Sequence, residues 1–384
     1  MSNLSSQKIR SIQVLRAIAV AMVTYSHAFV WVERLRLHEP FSSLLYAFRS
    51  FSYLGNCGAD LFFVITGFLM FYLHFDDFGQ FHASKKFIIR RIIRIVPIYW
   101  LLNSIGFLLL FLIPSLFPHY QGVNLPWVLG CYFFFPWPQS TGAISPILAV
   151  AWTLNYEIHF YLLFAVALIL KRKYGITLIF TFIMTAVTMG VLLEPKHPWI
   201  QLLTRSILLE FVFGILIFLL VSYFHPSKIT AWILLCVSVT SIGLTGVYYP
   251  QSDTARVITW GLPSAMLLTA VIWLQFKCLG HFGSLLVTLG DASYSIYLLQ
   301  VFSLPGLAYL FYELHLINLL PIGVMSILLW LVSCGAGVIF WRLVERPIFN
   351  GLKSLLGSSE VSTSYESTVL EQSIHFPIGR DNFV

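Results

Sequence analysis

Apolar residues run almost uninterrupted through ten stretches of the chain, at about 12–32, 53–73, 92–113, 147–170, 174–193, 200–223, 229–249, 256–276, 284–312 and 319–343. A helix crosses a hydrocarbon layer of about 30 Å with about 20 such residues, so each stretch is a candidate span. Polar residues gather between the stretches instead of alternating within them, which is the pattern of helices and not of strands. The expected fold is therefore an all-α integral membrane bundle of about ten helices. An additional apolar stretch, "LPWVLGCYFFFPWP" at 125–138, is too short to cross and reads as a re-entrant or interfacial helix on the outer side. An even number of spans returns the chain to the side on which it began, and basic residues mark which side that is. Lys8, Arg10, Lys85, Lys86, Arg90, Arg91, Arg94, Lys171, Arg172, Lys173, Lys228, Lys277, Arg342, Arg346, Lys353 and Arg380 all fall on the N-terminal side. Arg34, Arg36, Arg49, Lys196 and Arg256 fall on the other. Both termini are expected in the cytoplasm.

Composition agrees with the pattern. Of 384 residues 58% are hydrophobic and only 10% charged, where soluble domains carry about a quarter. Membrane lipids are thus the chain's immediate surroundings, and its 16% of aromatic residues suit lipid-facing and interfacial positions. The net charge of +7 does not point to nucleic acid, because the basic residues sit in segments between spans. No short apolar leader with a small-residue cleavage site opens the chain, so the first helix is expected to be retained. Cys57, Cys131, Cys236, Cys278 and Cys334 lack the spacing of metal ligands and read as small apolar packing residues; no metal site is expected. From 351 to 384 the sequence turns polar and rich in Ser, Thr and Glu, which reads as a disordered cytoplasmic tail behind a membrane-embedded domain of residues 1–350.

The charges inside the spans are the candidate chemistry. Arg16, Asp60, Glu157, Arg205 and Glu210 lie within apolar stretches, with Asp291 and Glu345 near span ends. An ionised side chain in hydrocarbon is costly unless it faces protein or water, so each is either a functional residue or a pairing residue that holds helices together. Arg16 and His27 are 11 residues apart, which returns to nearly the same helix face about 16 Å farther along. Asp60, in the outer half of the next span, is expected at the depth of His27, where a carboxylate would fix the imidazole tautomer for general-base chemistry. In "KKFIIRRIIRIVPIYW", from Lys85 to Trp100, Arg90, Arg91 and Arg94 stand at the inner mouth of the third span. Two readings of that cluster stay open: a topology and headgroup anchor, and an anion clamp for a phosphate-rich cytoplasmic ligand.

Seven segments in order carry a family resemblance: "SIQVLRAIAV" with Arg16 and His27 spaced R-x10-H, "GADLFFVITGFLM" from Gly58, "FIIRRIIRIVPIYW" from Phe87, "WTLNYEIHFY" from Trp152, "LLEFVFGI" from Leu208, "ASYSIYLLQ" from Ala292 and "VERP" from Val344. Over about residues 9–350 the chain resembles the membrane-bound acyltransferase 3 family, and within it the branch that acetylates bacterial exopolysaccharides. The resemblance implies an enzyme of the bacterial inner membrane that moves an acyl group, usually acetyl, from cytoplasmic acyl-CoA to a carbohydrate hydroxyl. The acceptor would be an exopolysaccharide, an O-antigen or a lipid-linked glycan. Acyl-CoA would be a substrate and not a permanently bound cofactor. The resemblance implies essential roles for Arg16 and His27 and donor binding by Arg90, Arg91 and Arg94; Asp60 and Glu157 are added here as catalytic candidates from their expected depth. Direct transfer and a covalent acyl-histidine relay both remain open. Two departures stand out. Many relatives end the "YSIYL" motif with histidine where this chain has Gln300, which would do without that histidine or serve as a hydrogen-bond donor. No hydrolase-like domain is expected after the last span, so transfer is expected within the membrane domain or to a separate partner. A rival reading makes the same buried charges a proton pathway in a secondary transporter or glycan exporter.

Overall fold

A computed structural model describes residues 2–36, 43–114, 123–140, 142–224, 226–245, 252–275 and 280–355. The expected tail beyond 355 and Cys278 lie outside them. The described chain is all helix: α1 (Ser2–Leu35), α2 (Ser43–Leu54), α3 (Cys57–His74), α4 (Phe81–Leu112), α5 (Leu125–Phe133), α6 (Trp152–Ile169), α7 (Arg172–Leu193), α8 (Pro198–Thr204), α9 (Leu209–Tyr223), α10 (Lys228–Thr245), α11 (Asp253–Arg256), α12 (Leu262–Leu274), α13 (Gly280–Asp291), α14 (Ser293–Glu313), α15 (Ile322–Phe340) and α16 (Arg346–Leu355). Joined across short breaks, these make ten helical segments long and apolar enough to cross a membrane, and the chain is a multi-pass membrane protein. Because spans alternate in direction, the basic segments around 85–94, 171–173, 228 and 342–353 share one face of the bundle, here termed the basic face.

Three boundaries differ from the hydropathy reading, each for a local reason. The second crossing begins at Ala47, not at 53, because α2 continues into α3 across a break at Gly55 and Asn56. The third begins at Phe81, so Arg90, Arg91 and Arg94 lie inside a 32-residue helix instead of ahead of it. The stretch 284–312 is two helices that break at Ala292. There α13 closes on α1, and a Cβ on Gly290 would lie 2.1 Å from the Gln13 carbonyl oxygen. The short stretch at 125–138 forms α5, only nine residues long. Asn124 caps it by accepting from Trp127 N at 2.8 Å, and it ends at Phe134 in the left-handed region. At about 1.5 Å per residue it cannot cross, and α4 and α6 meet it at the same end of the bundle.

α3 is the central helix. In the most apolar window of its crossing 83% of residues are buried, against 17% for the crossings of α7 and α10, which face outward. Glycines let its neighbours approach to backbone distance, as small residues do where lipid supplies no hydrophobic driving force. A Cβ on Gly58 would stand 2.4 Å from the Ala19 carbonyl oxygen of α1, and one on Gly67 would stand 2.1 Å from that of Phe211 in α9. These contacts fix the register of α3 and so the height of every polar side chain on it.

Candidate active site

A chamber of about 80 Å³ lies between α1, α3, α4, α6 and α14 toward the basic face. It gathers four of the ionisable residues singled out from sequence: Arg16, Arg91, Arg94 and Glu157 all line it. Helical spacing accounts for the pair from α4, since Arg91 and Arg94 are three residues apart and share a face. Arg91 packs over the rings of Phe87 and Tyr161 at 5.3 and 5.1 Å, contacts that orient a guanidinium without discharging it. Arg90 does not line the chamber. It lies near Asp77 in the turn after α3, whose carboxyl is held below its ordinary range by the hydrogen bond that His74 Nδ1 donates at 2.7 Å, with Arg90 and Lys86 adding to the effect.

From α1, Arg16 donates to Ser293 Oγ through Nε at 3.3 Å and Nη2 at 2.9 Å. The break at Ala292 places that serine at the first turn of α14. Glu157 accepts from Thr66 Oγ1 at 3.1 Å and from Tyr161 OH at 2.5 Å. Tyr161 is one turn along from Glu157, a signal present in the sequence; Thr66, 91 residues away, carried none. At the far end the hydroxyl of Tyr297 donates to the Val150 carbonyl at 2.8 Å and lies 3.0 Å from Thr153 Oγ1. Three guanidiniums against one carboxylate line the chamber, with the buried carboxyl of Glu345 close enough to Arg94 and Arg16 to interact with both.

His27 lies outside the chamber lining, on the same stripe of α1 as Arg16 and farther from the basic face. Its Nδ1 is 3.1 Å from Gln300 Oε1, and Gln300 Nε2 donates to the Tyr297 carbonyl at 2.9 Å. That network assigns the tautomer. A carbonyl only accepts, so the amide NH2 of Gln300 must face Tyr297, and its oxygen must then accept from Nδ1–H of His27. The lone pair is left on Nε2. Toward the histidine Gln300 is thus an acceptor, where the sequence suggested a donor.

The expected pairing of Asp60 with His27 is corrected. With Gly58 against Ala19, His27 lies eight residues beyond that level along α1, about 12 Å, while Asp60 lies on the opposite side of it. Asp60 sits deeper than expected because its crossing begins at Ala47. Its fully buried carboxylate instead takes a two-pronged ion pair from Arg256, Nε to Oδ1 at 2.9 Å and Nη2 to Oδ2 at 2.8 Å. The same guanidinium stacks near the rings of Trp152 and Trp260 at 5.3 and 5.0 Å. Glu210, also fully buried, abuts this pair and fills the space beside Gly261. Arg205 likewise pairs across helices, Nε to Asp253 Oδ2 at 3.0 Å. Arg256, counted from sequence among the loop residues, was the missed partner, because it begins an apolar run and looks like its flank. Cys57 and Cys131 are buried free thiols.

Comparison with known proteins gives a consistent picture. Residues 9–345 match the model of a family described as an acyltransferase domain, Acyl_transf_3. The exopolysaccharide production protein ExoZ of Rhizobium meliloti (strain 1021) is 31% identical over 300 residues, covering 77% of this chain and 90% of that protein. No solved structure matches the chain.

Proposed function

The chain belongs to the Acyl_transf_3 family of membrane acyltransferases, and from that premise we propose that it transfers acetyl from cytoplasmic acetyl-CoA to a hydroxyl of a surface or lipid-linked carbohydrate, in the bacterial inner membrane. The observation that carries this reading is the chamber of Arg16, Arg91, Arg94 and Glu157 toward the basic face. Its excess of guanidinium suits the phosphates of CoA at the mouth, and its small volume suits the thin pantetheine arm. The kinship with a protein named for exopolysaccharide production favours a carbohydrate acceptor.

In this reading Arg91 and Arg94 hold donor phosphate by forked hydrogen bonds. Arg16, at the inner end of its stripe, holds the donor or balances charge along the arm. The arm extends over the roughly 16 Å from the level of Arg16 to that of His27, which brings the thioester to the imidazole. His27 Nε2 takes the proton from the acceptor hydroxyl as that oxygen attacks the thioester carbonyl. The C–S bond breaks, the acyl–oxygen bond remains, and the proton passes from the imidazolium to the departing thiolate. Glu157, held by Thr66 and Tyr161, sets the polarity of the chamber wall; Asp60 supports the site through its pair with Arg256.

The test uses detergent-purified protein, acetyl-CoA and alkali-deacetylated fragments of the host's own surface polysaccharide. We expect acceptor-dependent release of free thiol. Arg91→Lys and Arg94→Lys should each raise the KM for acetyl-CoA by about 10–100-fold, the loss of one charge-assisted fork at about 1.5–3 kcal/mol; Arg90→Lys should change it less. Absence of thiol release with these fragments, or equal donor KM in all three variants and the parent, overturns the reading.

A further inference from the structure

At the end of the bundle away from the basic face, a second cleft of about 260 Å³ opens between α5, the segment after it, the start of α6 and α8. Trp137, Trp152 and Tyr156 offer ring surfaces to it, and Asn155, Gln201 and Arg205 offer polar ends. Asn155 is only 6% exposed, yet its side-chain amide has no hydrogen-bond partner among the described residues. The amide opens on the cleft, where a ligand can supply the partner that the protein does not. The side-chain amide of Gln201 is likewise without a partner among the described residues. Arg205 is already committed to Asp253 at 3.0 Å, so the cleft has no spare cation to attract a phosphate. An acyl chain would leave both amides unsatisfied. A pyranose has what the cleft lacks: an apolar C–H face for aromatic planes, and hydroxyls that donate and accept, as an amide requires. The volume is near the small end of ligand sites, about 300–1,000 Å³, and suits one ring.

The start of α6 divides this cleft from the arginine chamber. Trp152, Asn155 and Tyr156 line the cleft, whereas Thr153, Leu154 and Glu157 line the chamber. We infer that the cleft is a subsite for one sugar ring of the acceptor glycan, a neighbour of the ring that is acylated. This rests on the carbohydrate-acceptor reading above. The helix that intervenes, about 10 Å across with its side chains, keeps the ring bound here off the thioester. The enzyme therefore recognises at least two rings of its acceptor.

Trp137 is 45% exposed, and neither Trp137 nor Gln201 makes a side-chain hydrogen bond among the described residues, so truncating them leaves folding intact. Trp137→Ala, Gln201→Ala and Asn155→Ala are assayed with the deacetylated fragments, both oligosaccharides and the single sugars from their complete hydrolysis. The KM for oligosaccharides should rise tenfold or more, with kcat within about twofold and the KM for acetyl-CoA unchanged. Activity on single sugars, where measurable, should be the same in all four proteins. Without acetyl-CoA, oligosaccharides should quench parent tryptophan fluorescence saturably, and Gln201→Ala should move the midpoint by tenfold or more. An unchanged acceptor KM and midpoint in the variants, with normal thiol release, overturns the subsite alone. A saturable midpoint that the variants shift, without thiol release in any protein, upholds sugar binding in the cleft and overturns both the acyl-transfer reading and the cleft's role as its acceptor subsite.

Discussion

Gln300 does for His27 what the sequence assigned to a carboxylate. Its amide is pinned at one end by the Tyr297 carbonyl, so the other end can only accept from the imidazole. Replacing it with a residue of similar shape and no hydrogen bond should therefore cost rate and leave donor binding alone. Gln300→Met is expected to lower kcat by about 10–100-fold with little change in the KM for acetyl-CoA, since the ring loses its fixed tautomer but remains in place. His27→Gln should lose turnover altogether while still inserting in the membrane. Steady-state kinetics on both variants decides this: a Met variant that turns over like the parent would make Gln300 a packing residue. The stripe of Arg16 and His27 was legible in the sequence because helical periodicity alone defines it. The partner of His27 was visible as a departure from a motif, but its role was not, because the two residues are 273 positions apart.

At the level of elements, what the sequence misjudged was where helices begin. Hydropathy finds the apolar middle of a crossing and is blind to its polar or broken ends, so Asp60 was set too shallow and Arg256 was left in a loop. The structure makes those two residues a clamp between α3 and the start of the α11–α12 crossing. Removing the cation leaves a fully buried carboxylate, which typically costs about 3–5 kcal/mol, whereas removing both charges costs much less. Arg256→Leu should accordingly lower the thermal unfolding midpoint in detergent and reduce the yield of folded protein. Adding Asp60→Asn to it should recover most of the loss. If the double variant melts no higher than the single one, Arg256 stabilises the fold through its contacts with Trp152 and Trp260 instead.

For the molecule as a whole, span number and the non-crossing α5 were readable because the bilayer imposes a length rule on any chain that crosses it, and the charge rule adds an expected sidedness. The chamber and the cleft were not, since each is built from segments scattered across the sequence. Sidedness can be measured directly. In a cysteine-free background, a membrane-impermeant maleimide applied to intact spheroplasts should label Trp137→Cys and not Lys85→Cys, both of which replace exposed residues. Inverted vesicles should give the opposite result. The reverse pattern in both preparations would put the arginine chamber on the outside, where no acyl-CoA is available.

The two cavities share no lining residue. On the proposed reading, substrates from opposite compartments meet across side chains that keep the two cavities apart. A continuous aqueous passage would let protons run down any gradient maintained across the membrane, and the leak would continue whether or not the protein was turning over. With the aromatic and hydroxyl side chains of the first turns of α6, and Tyr297 against them, standing between the cavities, the reacting groups can be admitted from each side in turn while the membrane stays energised.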